Sequence, residues 1–224
     1  MAYILHIETA TKNCSVALSF EGTLLACQEL ATDGYAHAEK LHVFIDTLLQ
    51  QANVQFAQLN AIAVSKGPGS YTGLRIGNSA AKGLCFVLHI PLIAIDTLAV
   101  LAAQAQSVVK EGYIVPMLDA RRMEVYSAVY TPQCDLFQAV QAEILDEQSY
   151  GTFTDSLYFV GDCQDKLKTV LTQPNFNFIP EVVYPSAKDM PELSYAKYLN
   201  KEFEDLAYYE PFYLKDFLVT VSKK

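Results

Sequence analysis

Residues 65–83, SKGPGSYTGLRIGNSAAKG, crowd glycines and hydroxyls between an apolar run and a helical one, a setting in which backbone N–H groups can cradle a phosphate. The spacing fits neither standard phosphate loop. A Walker loop needs glycine, four residues and then Gly-Lys-Ser/Thr, whereas five residues separate Gly67 from Gly73 and Leu74-Arg75 follows. A dinucleotide fingerprint needs a glycine at position 72, which is threonine, although Asp96 stands where a ribose-binding acid would. The structural reading explains more of the stretch. Gly67-Pro68-Gly69 turns tightly out of a buried strand, and Ser70 or Thr72 caps the helix that follows. Gly73, Gly77 and Ala81 then stand four apart on one ridge, flanked by Ile76, Ala80 and Leu84, and small residues so spaced let another helix come close. Arg75, Asn78, Ser79 and Lys82 form a separate polar stripe.

Two acids end similar apolar runs: Glu8 in YILHIE and Asp119 in YIVPMLD. Facing each other across a cleft, they could hold Mg²⁺ through water; as strand-end acids they equally suit turns and caps. Nucleotide-binding hairpins usually place glycine where the turn approaches phosphate, and neither TATKN nor ARRM contains one. His37 and His42 are five residues apart, which turns a helix by about 140°, so their rings diverge and share no metal. His6 alternates with apolar neighbours and His89 precedes Pro91, neither within a nucleophile motif. The cysteines, at 14, 27, 85, 134 and 163, lack metal-ligand spacing and read as small buried residues in a reducing compartment. The expectation is therefore no catalytic residue, no metal and no cofactor.

The elements that must position these residues follow from periodicity. A length of 224 residues with 51% hydrophobic content suffices for one large domain or two lobes. The formal charge of −9 argues against a chain that grips nucleic acid alone. MAYILHIETAT lacks the marks of a signal peptide, and GLCFVLHIPLIAID is interrupted well short of a membrane span, so a cytoplasmic protein is expected. YILHIE (3–8), CSVALSF (14–20) and TLLACQEL (23–30) are β-prone runs. Residues 36–52 carry Leu41, Phe44, Ile45, Leu48, Leu49 and Ala52 at helical spacing. Strand AIAVS (61–65), a helix to about His89, strand LIAI and a helix from about Asp96 complete a βββαβα order. Near Glu111-Gly112 the pattern restarts in YIVPMLDARRMEVYSAVY and continues, more degenerately, to a helix within 189–209. The expectation is an α/β chain of two like lobes, 1–110 and 111–224.

Several of these stretches are recognisable. ILHIETATKNCSVAL, HAEKL, SKGPGSYTGLRIGNSAAKGL and MLDARRMEVYSAVY closely resemble the bacterial TsaB family, also called YeaZ, and EPFYLK (210–215) resembles its short ending. The resemblance implies two ribonuclease-H-like lobes of the actin, Hsp70 and sugar-kinase fold. It also implies a non-catalytic subunit that pairs with a TsaD-like catalytic paralogue. With the ATPase TsaE, that pair would support threonylcarbamoyl transfer to the N6 amine of an adenosine in tRNA anticodon loops. The paralogue's metal-binding His-x-x-x-His pair is not matched, because Leu41 follows His37 at i+4. In family members the two first-lobe helices form the pairing surface. Here that surface would fall on about 36–51 and 73–89, with His37, Leu41, Ile45, Leu48, Gly73, Ile76, Gly77, Ala80, Ala81 and Leu84 as its residues. A homodimer in the partner's absence, and contact with tRNA only through the complex, are the corresponding expectations. The alternatives are an intrinsic ATP-binding enzyme using Glu8 and Asp119, or a glycopeptidase-like hydrolase.

Overall fold

The computed structural model describes residues 1–32 and 37–214. Ala36 and Lys215, the ends of two stretches read above, lie outside the described residues.

Strands β1 (Tyr3–Glu8), β2 (Asn13–Phe20) and β3 (Thr23–Ala31) form an antiparallel meander. Two further strands, β4 (Leu59–Gly67) and β5 (Leu92–Asp96), run parallel to β1, giving the order β3-β2-β1-β4-β5. From Ile4 onward β1 is buried, and so is most of β4, which accounts for their nearly continuous apolar sequence. The second sheet repeats the plan. Here β6 (Tyr113–Asp119), β7 (Glu124–Tyr130) and β8 (Leu136–Ile144) are antiparallel. They are extended by β9 (Leu157–Gly161) and β10 (Phe176–Phe178) into the order β10-β9-β6-β7-β8.

Helices α1 (His37–Ala52) and α2 (Tyr71–Leu88) cover one face of the first sheet. Leu41, Ile45, Leu48, Ala81 and Cys85 meet Leu5, Ile7, Val16, Ile62 and Val64 in one apolar cluster. The second half has turns where the first has α1, and its α4 (Gln164–Leu167) is a single turn. Aromatic side chains fill the gap: Tyr150, Phe176 and Phe178 pack around the buried Phe159, with ring centroids 5.6, 5.2 and 5.1 Å from it.

The expected division at 110 parts the sheets but not the helices. After α3 (Thr97–Ala105) leaves the first lobe, Leu98, Leu101 and Ala105 pack on Ile114, Leu118, Ala128 and Val160 of the second sheet. In return α5 (Pro191–Asn200) and its approach bring Ala187, Met190, Leu193 and Tyr195 against Ile4, Ala17, Ala61 and Ile93. Each sheet has two apolar faces, and each receives a helix from the other half of the chain. The exchange is fixed by polar ties: Ser186 Oγ donates to Glu29 at 2.6 Å, Lys188 pairs with Glu29 at 2.9 Å, and Ala187 N donates to Ser15 Oγ at 2.9 Å. Residues 204–214 then run back along the first lobe, where Glu204 N donates to Leu92 O and Phe212 N to Lys66 O. No helix among the described residues is long and apolar enough to cross a membrane.

Candidate functional site

The glycine loop is built as a turn and a cap. Ser70 Oγ accepts from Gly73 N at 3.3 Å, capping α2, while Ser70 N donates to Ala10 O at 2.6 Å. That N–H is spent on the chain itself and is not turned toward a phosphate. Gly67 has φ +113°, and a Cβ there would sit 2.6 Å from Phe212 O. At the other end, His89 adopts a left-handed conformation with φ 54°, its N–H bonded to Cys85 O, and stops the helix.

The small-residue ridge packs within this lobe. A Cβ on Gly73 would lie 2.0 Å from Thr9 O, and one on Gly77 would lie 2.2 Å from Thr9 Oγ1. Thr9 Oγ1 itself donates to Gly73 O at 2.8 Å. The glycines thus admit the end of β1. Ala81 is buried on the same side, and His37, Leu41, Ile45 and Leu48 are buried beneath α1. These seven positions, expected at a pairing surface, are interior, because the apolar stripe of each helix is the one that packs on the sheet. Ile76, Ala80 and Leu84 are half-buried at its margin. His37 Nε2 lies 2.8 Å from Thr11 O and anchors the start of α1 to the first hairpin.

Other groups on these helices remain outside. Val43 on α1 is 57% exposed, and Phe86 and Val87 on α2 are 71% and 72% exposed. On the same side of α2 as Phe86 and Val87, three and four residues before them, stands Gly83, where an added Cβ would meet nothing within 4 Å. The two helices are neighbours. Of the polar stripe, Asn78 is buried and donates to Ser65 O and Leu74 O, and Lys82 donates to Tyr209 O of the returning segment. Arg75 is exposed and lies over the Tyr71 ring.

Glu8 and Asp119 do not form a two-sided metal site. Glu8 is fully buried, its Oε1 accepting from Ala10 N at 2.6 Å and Ser65 Oγ at 3.0 Å. Desolvation pushes its carboxyl up to about 7 against those bonds. Asp119 is exposed, accepts from Arg121 N and is paired with Lys166. Among the described residues no cluster of three or more histidines, cysteines, aspartates or glutamates could hold a metal ion. One constellation has no sequence signal at all: His6 lies 2.8 Å from Ser19 Oγ and 3.4 Å from Ser194 Oγ. All three are wholly buried, and desolvation lowers the His6 pKa to about 3. The geometry is that of a tie between α5 and the first sheet, with no route for a substrate.

Two sheets of one topology, each begun by a three-stranded meander and extended by parallel strands, define the actin-like ATPase fold. Within it Ser70 N and Glu8 are engaged inside the first lobe, while Asp119 is exposed and paired with Lys166. The family model TsaD, tRNA N6-adenosine threonylcarbamoyltransferase, matches residues 33–217. The tRNA threonylcarbamoyladenosine biosynthesis protein TsaB of Haemophilus influenzae is 30% identical over 95% of this chain and 93% of its own. Two solved structures from Pseudomonas aeruginosa are similar throughout, one of YeaZ and one of a protein described as similar to peptidase YEAZ. Their TM-scores are 0.84 and 0.83 at 27% and 28% identity, over 96% of this chain and all of each. The chain belongs to the TsaB family of tRNA threonylcarbamoyladenosine biosynthesis proteins.

Proposed function

We propose that this chain is the non-catalytic pairing subunit of a threonylcarbamoyl-transferring complex, docking a TsaD-like catalytic paralogue on the outer face of α1 and α2. The observation that carries the reading is the open Gly83 beside the exposed Phe86 and Val87 on α2, with Val43 exposed on the neighbouring α1. A glycine within a helix costs about 1 kcal/mol relative to alanine, and the fold makes no use of this one. A glycine that costs stability and serves no internal contact suits close approach by a second helix. The burial of Glu8, the engagement of Asp119 and the inward use of the loop N–H support a subunit without chemistry of its own.

On this reading a TsaE-like ATPase and tRNA join through the complex, consistent with a chain of net charge −9, and the setting is the cytoplasm. Alone, two copies cover the apolar face by self-association. Reconstitution tests the proposal. With TsaD-like and TsaE-like partners and tRNA, threonylcarbamoyladenosine measured by mass spectrometry in digested tRNA falls to background when this chain is omitted. Full modification without it, or modification by this chain alone, would overturn the reading.

A further inference from the structure

Among the described residues, two cations of α2 have no carboxylate partner: Lys82, whose ammonium donates to Tyr209 O, and Arg75, which is stacked on a ring. Lys66, Lys166, Lys168 and Lys188 each have a carboxylate within ion-pair distance, whereas Arg75 forms no ion pair among the described residues. Its guanidinium carbon lies 4.0 Å from the centroid of the Tyr71 ring, and that ring is 5.0 Å from Tyr213 of the returning segment. Stacking fixes the plane of the group and leaves its N–H donors at the rim, where a carboxylate accepts two parallel bonds. Such preorientation lowers the entropy cost of pairing.

Arg75, Ser79 and Phe86 stand at i, i+4 and i+11, within about 40° of one another around the helix axis, and Arg75 and Phe86 are about 16 Å apart along it. All three are exposed. We propose that Arg75 is a preoriented anchor for a carboxylate on the partner subunit's docking helix, a contact that rests on the pairing face proposed above. The acid stands about three turns from the residue that receives Phe86. The anchor also discriminates against self-pairing. Helix α2 contains neither aspartate nor glutamate, so two copies packed α2 to α2 leave both guanidinium groups unpaired.

The test uses the full chain and its TsaD-family partner, titrated calorimetrically at low and moderate NaCl. Arg75→Ala is expected to weaken pairing about tenfold at low salt, to remove most of its salt dependence, and to strengthen self-association. Arg75→Lys recovers only part of the loss, because lysine keeps the charge but not the stacked plane. Phe86→Ala weakens pairing and keeps the wild-type salt dependence. If Arg75→Ala matches wild type in affinity and salt dependence while Phe86→Ala is impaired, the anchor is overturned and the pairing face stands. If both variants match wild type, the face itself is overturned; loss with Arg75→Ala alone supports the anchor and rejects the apolar face.

Discussion

One chemical change made at two points of α2 should have opposite effects. Gly73→Ala places a methyl carbon 2.0 Å from Thr9 O, a backbone atom that no rotamer change can clear. Relief requires α2 and the end of β1 to separate by about 1 Å. Overpacking of this kind costs about 1–3 kcal/mol. Separation also strains the Thr9 Oγ1 to Gly73 O bond of 2.8 Å and the Ser70 N to Ala10 O bond of 2.6 Å, each worth about 1 kcal/mol. Against this stands a gain of about 1 kcal/mol for alanine over glycine in a helix. The net is a loss of roughly 3 kcal/mol, or a melting temperature about 10 °C lower for a chain of this size. Gly83→Ala meets nothing within 4 Å, keeps the propensity gain and should melt about 2 °C higher. Thermal unfolding followed by far-UV circular dichroism reads both. A Gly73→Ala chain as stable as wild type, or a Gly83→Ala chain less stable than Gly73→Ala, would refute the assignment of the inner and outer sides of α2.

Glu8→Gln should change the pH dependence of stability. Burial pushes the folded carboxyl up to about 7 from its ordinary 4.5, so its contribution is present in full below about 4.5 and is lost as pH rises through about 7. Denaturant melts of wild type should lose roughly 3 kcal/mol across that window from this group, and Glu8→Gln should remove most of the slope; an unchanged slope would contradict a desolvated Glu8. Tyr209→Ala removes a ring that is 8% exposed and packed into the first lobe's core, and should cost about 3 kcal/mol in the same melts. Retained stability would mean that the returning segment adds nothing to the lobe. Glu29→Ala deletes the carboxylate that holds Ser186 and Lys188, and faster amide exchange in residues 185–190 is expected, with little change in the β1 and β4 amides.

Much of the fold can be read from residue order. The six-residue rise to Glu8, the hairpins after it and the restart at Tyr113 all appear where periodicity puts them. What periodicity lacks is the identity of the surface that a face meets. The largely apolar α3 and the α5 that begins at Pro191 each announce a buried partner, but not which sheet, and the exchange between lobes depends on contacts such as His6 with Ser194, 188 residues apart. The same limit governs the candidate site. Gly73 and Gly77 mark a close approach correctly, while the approaching group, Thr9, precedes them by more than sixty residues, as its bond to Gly73 across 64 positions shows. Gly83 carries no distinct signal in the sequence, because its meaning depends on the empty space around it. The burial of Glu8 has a related origin: it lies under the hairpin that α2 closes, a tertiary contact without any local signature.

The pairing face is tested most directly by the affinity of Gly83→Trp for the TsaD-family partner, set beside its melting temperature. An indole at this open position should leave the melting temperature within about 2 °C of wild type. It should also weaken pairing by at least about a hundredfold, because it holds the two helices apart. Wild-type affinity in a Gly83→Trp chain that melts normally would contradict the account.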